Sequence, residues 1–369
     1  MKKIISFIKK EIVFSISFVV ALVSMLFVKP DNKYLSYIDF RTIGLLFALM
    51  AVVAGLSKAG LILKLAEKIV EKVGNTRLLV AVLWSICFFT SMIITNDVAL
   101  ITFVPVTISV LSMCNKENLI IYTIVLQTIG ANLGSMLTPM GNPQNLYIYT
   151  YYNVNIKDFF AITVPIIVVS FLLLLLATLL VKSEKIDVNI NKTNVNSKNI
   201  VFMYFVLAIV SILAVLRVFD YKIAVIVVAL SILIFDRSVI KNIDWLLLLT
   251  FCCFFVFVGN ISRIDIVDDF IVRLINGREF VVSFCASQVM SNVPATIMLS
   301  GFTNNYKGLI LGADIGGLGT LVASLASLIS FKLYSSINNS QVKRYLLTFT
   351  AVNIVFFVIL ILTMVLFVK

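Results

Sequence analysis

Apolar runs long enough to cross a membrane recur from one end of the chain to the other, and they leave it very few folds. Phe160–Val181, Ala224–Phe235 and Tyr345–Val368 approach or exceed the roughly 20 residues a helix needs to span the hydrocarbon. In lipid a backbone must satisfy its own hydrogen bonds, so these runs are read as helices. Hydrophobic residues make up 61% of the chain and charged ones 13%, against roughly 25% charged in a soluble domain. The reading is an all-α polytopic membrane protein, not an enzyme. The first run, Ile12–Val28, ends in FVKPDNKY without a small-residue cleavage pattern, so it is expected to stay as a span.

A net charge of +12 would suit nucleic acid, but the lysines and arginines fall in short loops between apolar runs. There they orient the chain and place a positive field near its mouths, and no nucleic-acid partner is expected. The chain has no His, which closes the imidazole route to proton relay or metal ligation. Cys87, Cys114, Cys252, Cys253 and Cys285 lie in or beside apolar segments without metal-ligand spacing, so neither a metal centre nor a cofactor is expected.

Lys2, Lys3, Lys9 and Lys10 place the N-terminus in the cytoplasm. Spans over 11–29 and 39–57 follow. Next comes LILKLAEKIVEKVG, whose apolar spacing opposite Lys64, Glu67, Lys68, Glu71 and Lys72 predicts an amphipathic helix on the cytoplasmic face. Residues 78–113 are apolar on both sides of Thr95, Asn96 and Asp97, too long for one span and basic at both flanks. They predict a re-entrant hairpin whose tip lies within protein. The helix over 119–152 is broken by GANLGSMLTPMGNPQN, because Gly134, Pro139, Gly141 and Pro143 do not sustain a helix interior. Tyr147, Tyr149, Tyr151 and Tyr152 are expected in the headgroup belt.

A span over 157–181 then leads to a polar cytoplasmic linker, 182–199, and a joining span over 200–217. Spans over 222–238 and 244–260 and a polar outer segment, 261–278, come next. A second hairpin over 279–305 around SNVPA, a broken helix over 308–335 around GADIGGLGTL, and a last span ending at Val368 complete the chain. Nine crossings and two hairpins put the N-terminus inside and the C-terminus outside a cell inner membrane.

Each half thus reads as two spans, a hairpin, a broken helix and a span. Residues 1–181 form one copy and 222–369 the other, with 182–221 as linker and joining span. The odd crossing between them gives the copies opposite orientations. GANLGSMLT and GADIGGLGT align without gaps, setting Asn132 against Asp314, Gly134 against Gly316 and Thr138 against Thr320, while TNDVA and SNVPA set Asn96 against Asn292. Interrupted helices free backbone groups: N-termini attract an anion and freed carbonyls hold a cation.

The substrate is therefore expected between the tips, on Thr95, Asn96, Ser291 and Asn292, with Asn142 and Thr320 as further contacts. One cation site would use Asn96, Asp97, Asn132, Gly134 and Thr138, and the other Asn292, Asp314 and Gly317. Carboxylates are costly in hydrocarbon, on the order of 3 kcal/mol, so an ion role is the default for Asp97 and Asp314. Gly316, Gly317 and Gly319 are read as an unwound segment rather than a close-packing surface. Ser324 and Ser327, with Ala323 and Ala326, are read as a smooth helix face, and Trp84 and Trp245 as packing or interfacial anchors.

On IITNDVALITFVPV, GANLGSMLTPMGNPQN, SQVMSNVPATIMLS and GADIGGLGTLVASLAS the chain resembles the ion transporter superfamily. That superfamily includes divalent anion/sodium symporters, citrate transporters, arsenite permeases and some sodium/proton antiporters. The resemblance covers nearly the whole chain and implies a homodimer, a scaffold carrying the dimer contact, and a transport domain that moves as an elevator. The divalent anion symporters carry Ser-Asn-Thr at each tip. This chain has Thr95-Asn96-Asp97 and Ser291-Asn292-Val293, keeping the central asparagines and changing the third position at both.

The leading expectation is a secondary transporter that couples sodium to uptake of a small organic anion such as a di- or tricarboxylate. Asp97 would repel a second negative charge unless it holds a cation. Two alternatives stand beside it: sodium/proton antiport on Asp97 and Asp314, and export of arsenite or antimonite.

Overall fold

The computed structural model describes residues 11–186, 198–337 and 340–367, apart from 61–63, 65, 66 and 69. Their regular structure is helical, and an isolated bridge pairs Asn75 with Lys185. The helices are α1 (Ile12–Phe27), α2 (Phe40–Lys58), α3 (Thr76–Ile94), α4 (Asn96–Met113), α5 (Ile120–Gly134), α6 (Pro143–Tyr151), α7 (Ile156–Thr178) and α8 (Lys198–Val215). They continue as α9 (Tyr221–Phe235), α10 (Trp245–Ile261), α11 (Asp265–Ile275), α12 (Glu279–Met290), α13 (Asn292–Ser300), α14 (Tyr306–Gly316), α15 (Leu325–Ser335) and α16 (Val342–Phe367).

Helices occupy every expected span and both arms of each expected hairpin. Among the described residues six helices are long and apolar enough to cross a membrane by themselves, or seven if the bent pair α10–α11 counts as one span. The chain is a polytopic helical membrane protein. Of the amphipathic helix expected over 61–74, residues 61–63, 65, 66 and 69 lie outside the described residues, as do most of the linker 182–199 and all of Lys2, Lys3, Lys9 and Lys10.

Two single-residue breaks create the hairpins. Thr95 joins α3 to α4 at φ 70°, ψ 148°, and Ser291 joins α12 to α13 at φ 75°, ψ 152°. That region is essentially glycine territory, and holding another residue there costs about 1–3 kcal/mol. Both arms of the first hairpin return to one place. At the start of α3 the Thr76 hydroxyl donates to the Lys182 carbonyl, and beyond the end of α4 Lys116 pairs with Glu184. In the second hairpin, Glu279 at the start of α12 accepts from Asn305 Nδ2 at 3.2 Å and from the Thr303 hydroxyl at 3.3 Å, in the loop that follows α13.

Each broken helix lies along the first arm of its own hairpin, and glycine permits the approach. A Cβ at Gly130 would meet the Trp84 carbonyl at 3.3 Å, and one at Gly134 the Phe88 carbonyl at 2.1 Å. The second half repeats this: a Cβ at Gly312 would meet the Phe280 carbonyl at 2.5 Å, and one at Gly316 the Ser287 side chain at 2.9 Å. The threonines match as well. Thr138 donates to the carbonyl of Met92, and Thr320 to that of Gln288 at 3.0 Å, each four residues before its tip asparagine. Gly316, the last residue of α14, is thus a close-packing residue, contrary to the unwound reading, while residues 317–320 leave the helix as that reading expects for Gly317 and Gly319. The backbone turns left-handed only at Gly319, φ +107°.

The helices sort into two packing groups. α1 lies on α10, and α2, α8 and α9 pack together around a separate core that includes Tyr204, Val228 and Ile232. The hairpins pack with α5, α7, α14, α15 and α16. Between the groups run α2 against α6 and α10 against α13. One end of this seam is tied by polar contacts: Arg217 donates to the carbonyls of Tyr149 at 2.7 Å and Val154 at 3.0 Å, and Thr42 meets Thr150.

Two further expectations need correction. Residues 265–275, expected only as polar outer chain, form α11, bent 106° from α10. Mixed charge hid the pattern, because its apolar residues Ile266, Phe270 and Leu274 recur at helical spacing between acids. Tyr147 and Tyr149 are not in a headgroup belt, since both are buried at 2% exposure. Tyr147 hydrogen-bonds the Ser300 hydroxyl at 2.6 Å, Tyr149 underlies the Arg217 guanidinium at 4.4 Å, and Tyr151 alone of the cluster is strongly exposed.

Candidate functional site

A cavity of about 650 Å³ lies on the seam, with α2 and α10 on one wall and the first hairpin, the first break and α15 on the other. Its sides are apolar, from Leu49 and Val53 to Met140, Leu247 and Leu328. Thr95, Asp97 and Asn142 line it, and the exposed Lys58, Asp244 and Lys332 stand where it meets the surface.

Backbone geometry brings the first tip to the first break. The Asn96 amide N–H donates to the Gly141 carbonyl at 3.3 Å, and Asn96 Nδ2 donates to Asn132 Oδ1 at 3.0 Å. Thr95, with its strained φ, makes no side-chain cap on α4, and Asn142 makes none on α6, where Pro143 takes the first position. At the start of α4 the Asn96 side chain accepts from the Asp97 backbone N–H at 3.0 Å, whereas α6 begins without a side-chain cap and keeps its positive end free of one. Two oxygens here have no donor: Asp97 Oδ1 and Asn142 Oδ1 are buried without a hydrogen-bond partner.

The broken helices also clasp each other. Asn132, from the first, accepts from the Ser324 hydroxyl at 2.9 Å and donates to the Gly317 carbonyl at 3.5 Å and the Ser327 hydroxyl at 3.4 Å. Asp314, from the second, accepts from Gln144 Nε2 at 3.1 Å. Asn145 lies beside Asp314, but its amide meets no hydrogen-bond geometry, and Asp314 Oδ2 is likewise without a donor. Asn132 is satisfied, whereas Asp314 is a buried carboxylate with one neutral donor.

Most of the expected site residues come together, though not around one space. Thr95, Asp97 and Asn142 face the cavity, with Asn96 and Asn132 directly behind them. Gly134 and Thr138 serve packing along α3. Ser291, Asn292, Asp314 and Gly317 are buried away from the cavity: Ser291 donates to Asn292 Oδ1 at 3.4 Å, and a Cβ at Gly317 would meet Asn292 Nδ2 at 3.0 Å. Thr320 is exposed and does not line the cavity.

Gln144, Asn145, Ser324 and Ser327 belong to the polar centre and were not singled out as site residues. The two serines are not a smooth face, because both bond Asn132. Their signal was present in the alignment, since continuing the ungapped match past Thr138 and Thr320 sets Asn142 against Ser324 and Asn145 against Ser327. Trp84 is a packing residue, fully buried with its indole N–H on the Thr178 hydroxyl at 2.8 Å.

Comparison with known proteins finds transporters and a membrane protein. An uncharacterised transporter of Methanocaldococcus jannaschii is 32% identical over 331 residues, 88% of this chain and 89% of that protein. The inner membrane protein YbiR of Escherichia coli is 29% identical over 302 residues, 80% of each. Silicon efflux transporter LSI3 of rice is 34% identical over 122 residues, 33% of this chain and 24% of LSI3. Residues 4–307 match the citrate transporter family, and the chain is a membrane transporter belonging to that family.

Proposed function

We propose that the chain is a secondary transporter that couples sodium to the movement of a small organic anion, a di- or tricarboxylate, through the cavity at Thr95, Asp97 and Asn142. The observation that carries this reading is the pair of buried oxygens without donors, Asp97 Oδ1 and Asn142 Oδ1, at the positive ends of α4 and α6. Sodium between them would satisfy both and neutralise Asp97. The half-helix N-termini and the ion would then attract an anion, and no bond is made or broken. The cavity volume suits a small solute; its mouth is mixed in charge, with Lys58 and Lys332 beside Glu11 and Asp244 and with Lys58 paired to Asp236, so the preference for an anion rests on the half-helix ends and the ion.

In this reading the two halves are inverted repeats. The helices of the hairpin group slide as an elevator against α1, α2, α8, α9 and α10, in a homodimer, the assembly implied by the family resemblance. The mouth is assigned to the cytoplasmic side on the positive-inside tendency of the loops, which makes the cavity the inward-open site, with the N-terminus inside and the C-terminus outside. Asp314, sealed from the cavity, holds a second cation.

A second reading is export of a neutral hydroxylated solute such as arsenite or antimonite. The same two acceptors favour it, because a neutral hydroxide brings its own donors, as does the partial likeness to LSI3 and to a putative transporter arsB of Dictyostelium discoideum, 31% identical over 130 residues. Proteoliposomes loaded with citrate, succinate or arsenite and given a sodium gradient separate the readings. Carboxylate flux that requires sodium is expected. Arsenite flux indifferent to sodium would replace the first reading with the second, and sodium-driven proton flux without any solute would indicate antiport on Asp97 and Asp314.

A further inference from the structure

A second pocket, of about 300 Å³, lies at the base of the first hairpin, far along the chain from the tip residues. Its rim carries Lys116, Lys182 and Asn118, and Thr76, Tyr122 and Leu180 form part of its wall. Lys182 is exposed, and Arg77 lies against the same wall with its Nε on the Val181 carbonyl at 2.8 Å. The carboxylate in the pocket, Glu184, is already matched by Lys116, so the rim as a whole is cationic. An apolar face runs into it. Val168, Leu172 and Leu176, spaced four apart along α7, and Leu180 just past its end are between 52% and 80% exposed. α7 is long and apolar enough to span the membrane, so this stripe meets acyl chains, and it ends at the basic rim.

We propose that the pocket binds the phosphate headgroup of an anionic phospholipid whose acyl chain lies along the leucine face of α7. Basic pockets between helices at the level where spans end recognise such headgroups. The leucine track favours a lipid over a free phosphate, because a soluble anion would leave it unused. Both arms of the hairpin and the start of α5 converge on Thr76, Lys116 and Leu119, so the lipid fixes the base of the element whose tip carries Thr95 and Asp97.

The test uses the full chain in neutral detergent, with phosphatidylglycerol, phosphatidylcholine or soluble glycerol phosphate added at equal concentration. Retained lipid is counted by native mass spectrometry, and the thermal unfolding midpoint is followed in parallel. Phosphatidylglycerol is expected to be retained and to raise the midpoint, with the other two doing neither. Lys182→Gln should weaken phosphatidylglycerol binding about fivefold, the effect of one basic residue at an anionic headgroup. Glu184→Gln should strengthen it, which a merely destabilised hairpin base would not do. Equal retention of phosphatidylcholine, or binding unmoved by both substitutions, overturns the proposal. A midpoint shift reproduced in full by glycerol phosphate overturns the lipid in favour of a free phosphate.

Discussion

Thr95 and Ser291 each hold a backbone conformation that only glycine adopts without strain, φ 70° and 75°, and neither is glycine. Keeping a hydroxyl residue in such a place is costly; Thr95 faces the cavity, whereas Ser291 is buried away from it and bonds Asn292. Removing the strain therefore has a defined sign. Thr95→Gly should be more stable than Thr95→Ala by about 1 kcal/mol, the strain less the entropy glycine adds, while transport falls in both because the hydroxyl is gone. Thermal unfolding of the two variants in the same detergent decides it, and an alanine variant as stable as the glycine one would remove the strain argument.

The aligned pair Asn132 and Asp314 differs in the same measurable way. Asn132 has four hydrogen-bond contacts, so Asn132→Ala breaks the clasp between the broken helices and should cost about 2–3 kcal/mol of stability. Asp314 keeps one oxygen without a donor, so Asp314→Asn should be stable yet shift the sodium dependence of uptake. Sodium titrations giving the same half-saturation for Asp314→Asn and the parent chain would take Asp314 out of the coupling.

Among the elements, α6 is engaged at both of its ends. Its N-terminus borders the cavity at Asn142 and Pro143. Past its other end, the Arg217 guanidinium caps the carbonyls of Tyr149 and Val154, a favourable charge for a helix C-terminus. Arg217 follows α8, in the other packing group, so this cap also sets how α6 sits across the seam. Arg217→Gln should raise the half-saturating substrate concentration about two- to fivefold, from the loss of a charge–dipole contact. Arg217→Lys should recover part of it, and unchanged half-saturation in Arg217→Gln would show the cap to be structural only.

How much of these elements the sequence revealed follows the same physics. Spans, hairpins and breaks were legible because lipid forbids unsatisfied backbone, so Gly, Pro and Asn inside apolar runs announce themselves. The paired tips were legible because two matching interruptions exceed coincidence. What stayed hidden depends on contacts between distant segments: Ser324 and Ser327 meeting Asn132, Gln144 meeting Asp314, the buried side of Tyr147, and the exposed position of Thr320. α11 stayed hidden for a local reason, since its acids masked a helical period that a span would have shown plainly.

At the scale of the whole molecule, the seam is open at one end and tied at the other. The cavity opens past Lys58, Asp244 and Lys332, while Arg217, Thr42 and Thr150 close the opposite end of α6. On the proposed alternating-access reading such a seam exposes its site to one side at a time, and passage to the other side would require the tied end to part while the open end shuts. Leu49 on α2 and Leu328 on α15 line opposite walls of the cavity. Leu49→Cys and Leu328→Cys, made with the five native cysteines replaced by serine, should therefore react with a membrane-impermeant thiol reagent applied from the cytoplasmic face of oriented vesicles. Substrate with sodium should slow both reactions together, since both walls border the same space. Reaction only from the outer face would reverse the orientation read from the lysines, and protection of one wall without the other would mean that the solute does not pass between them.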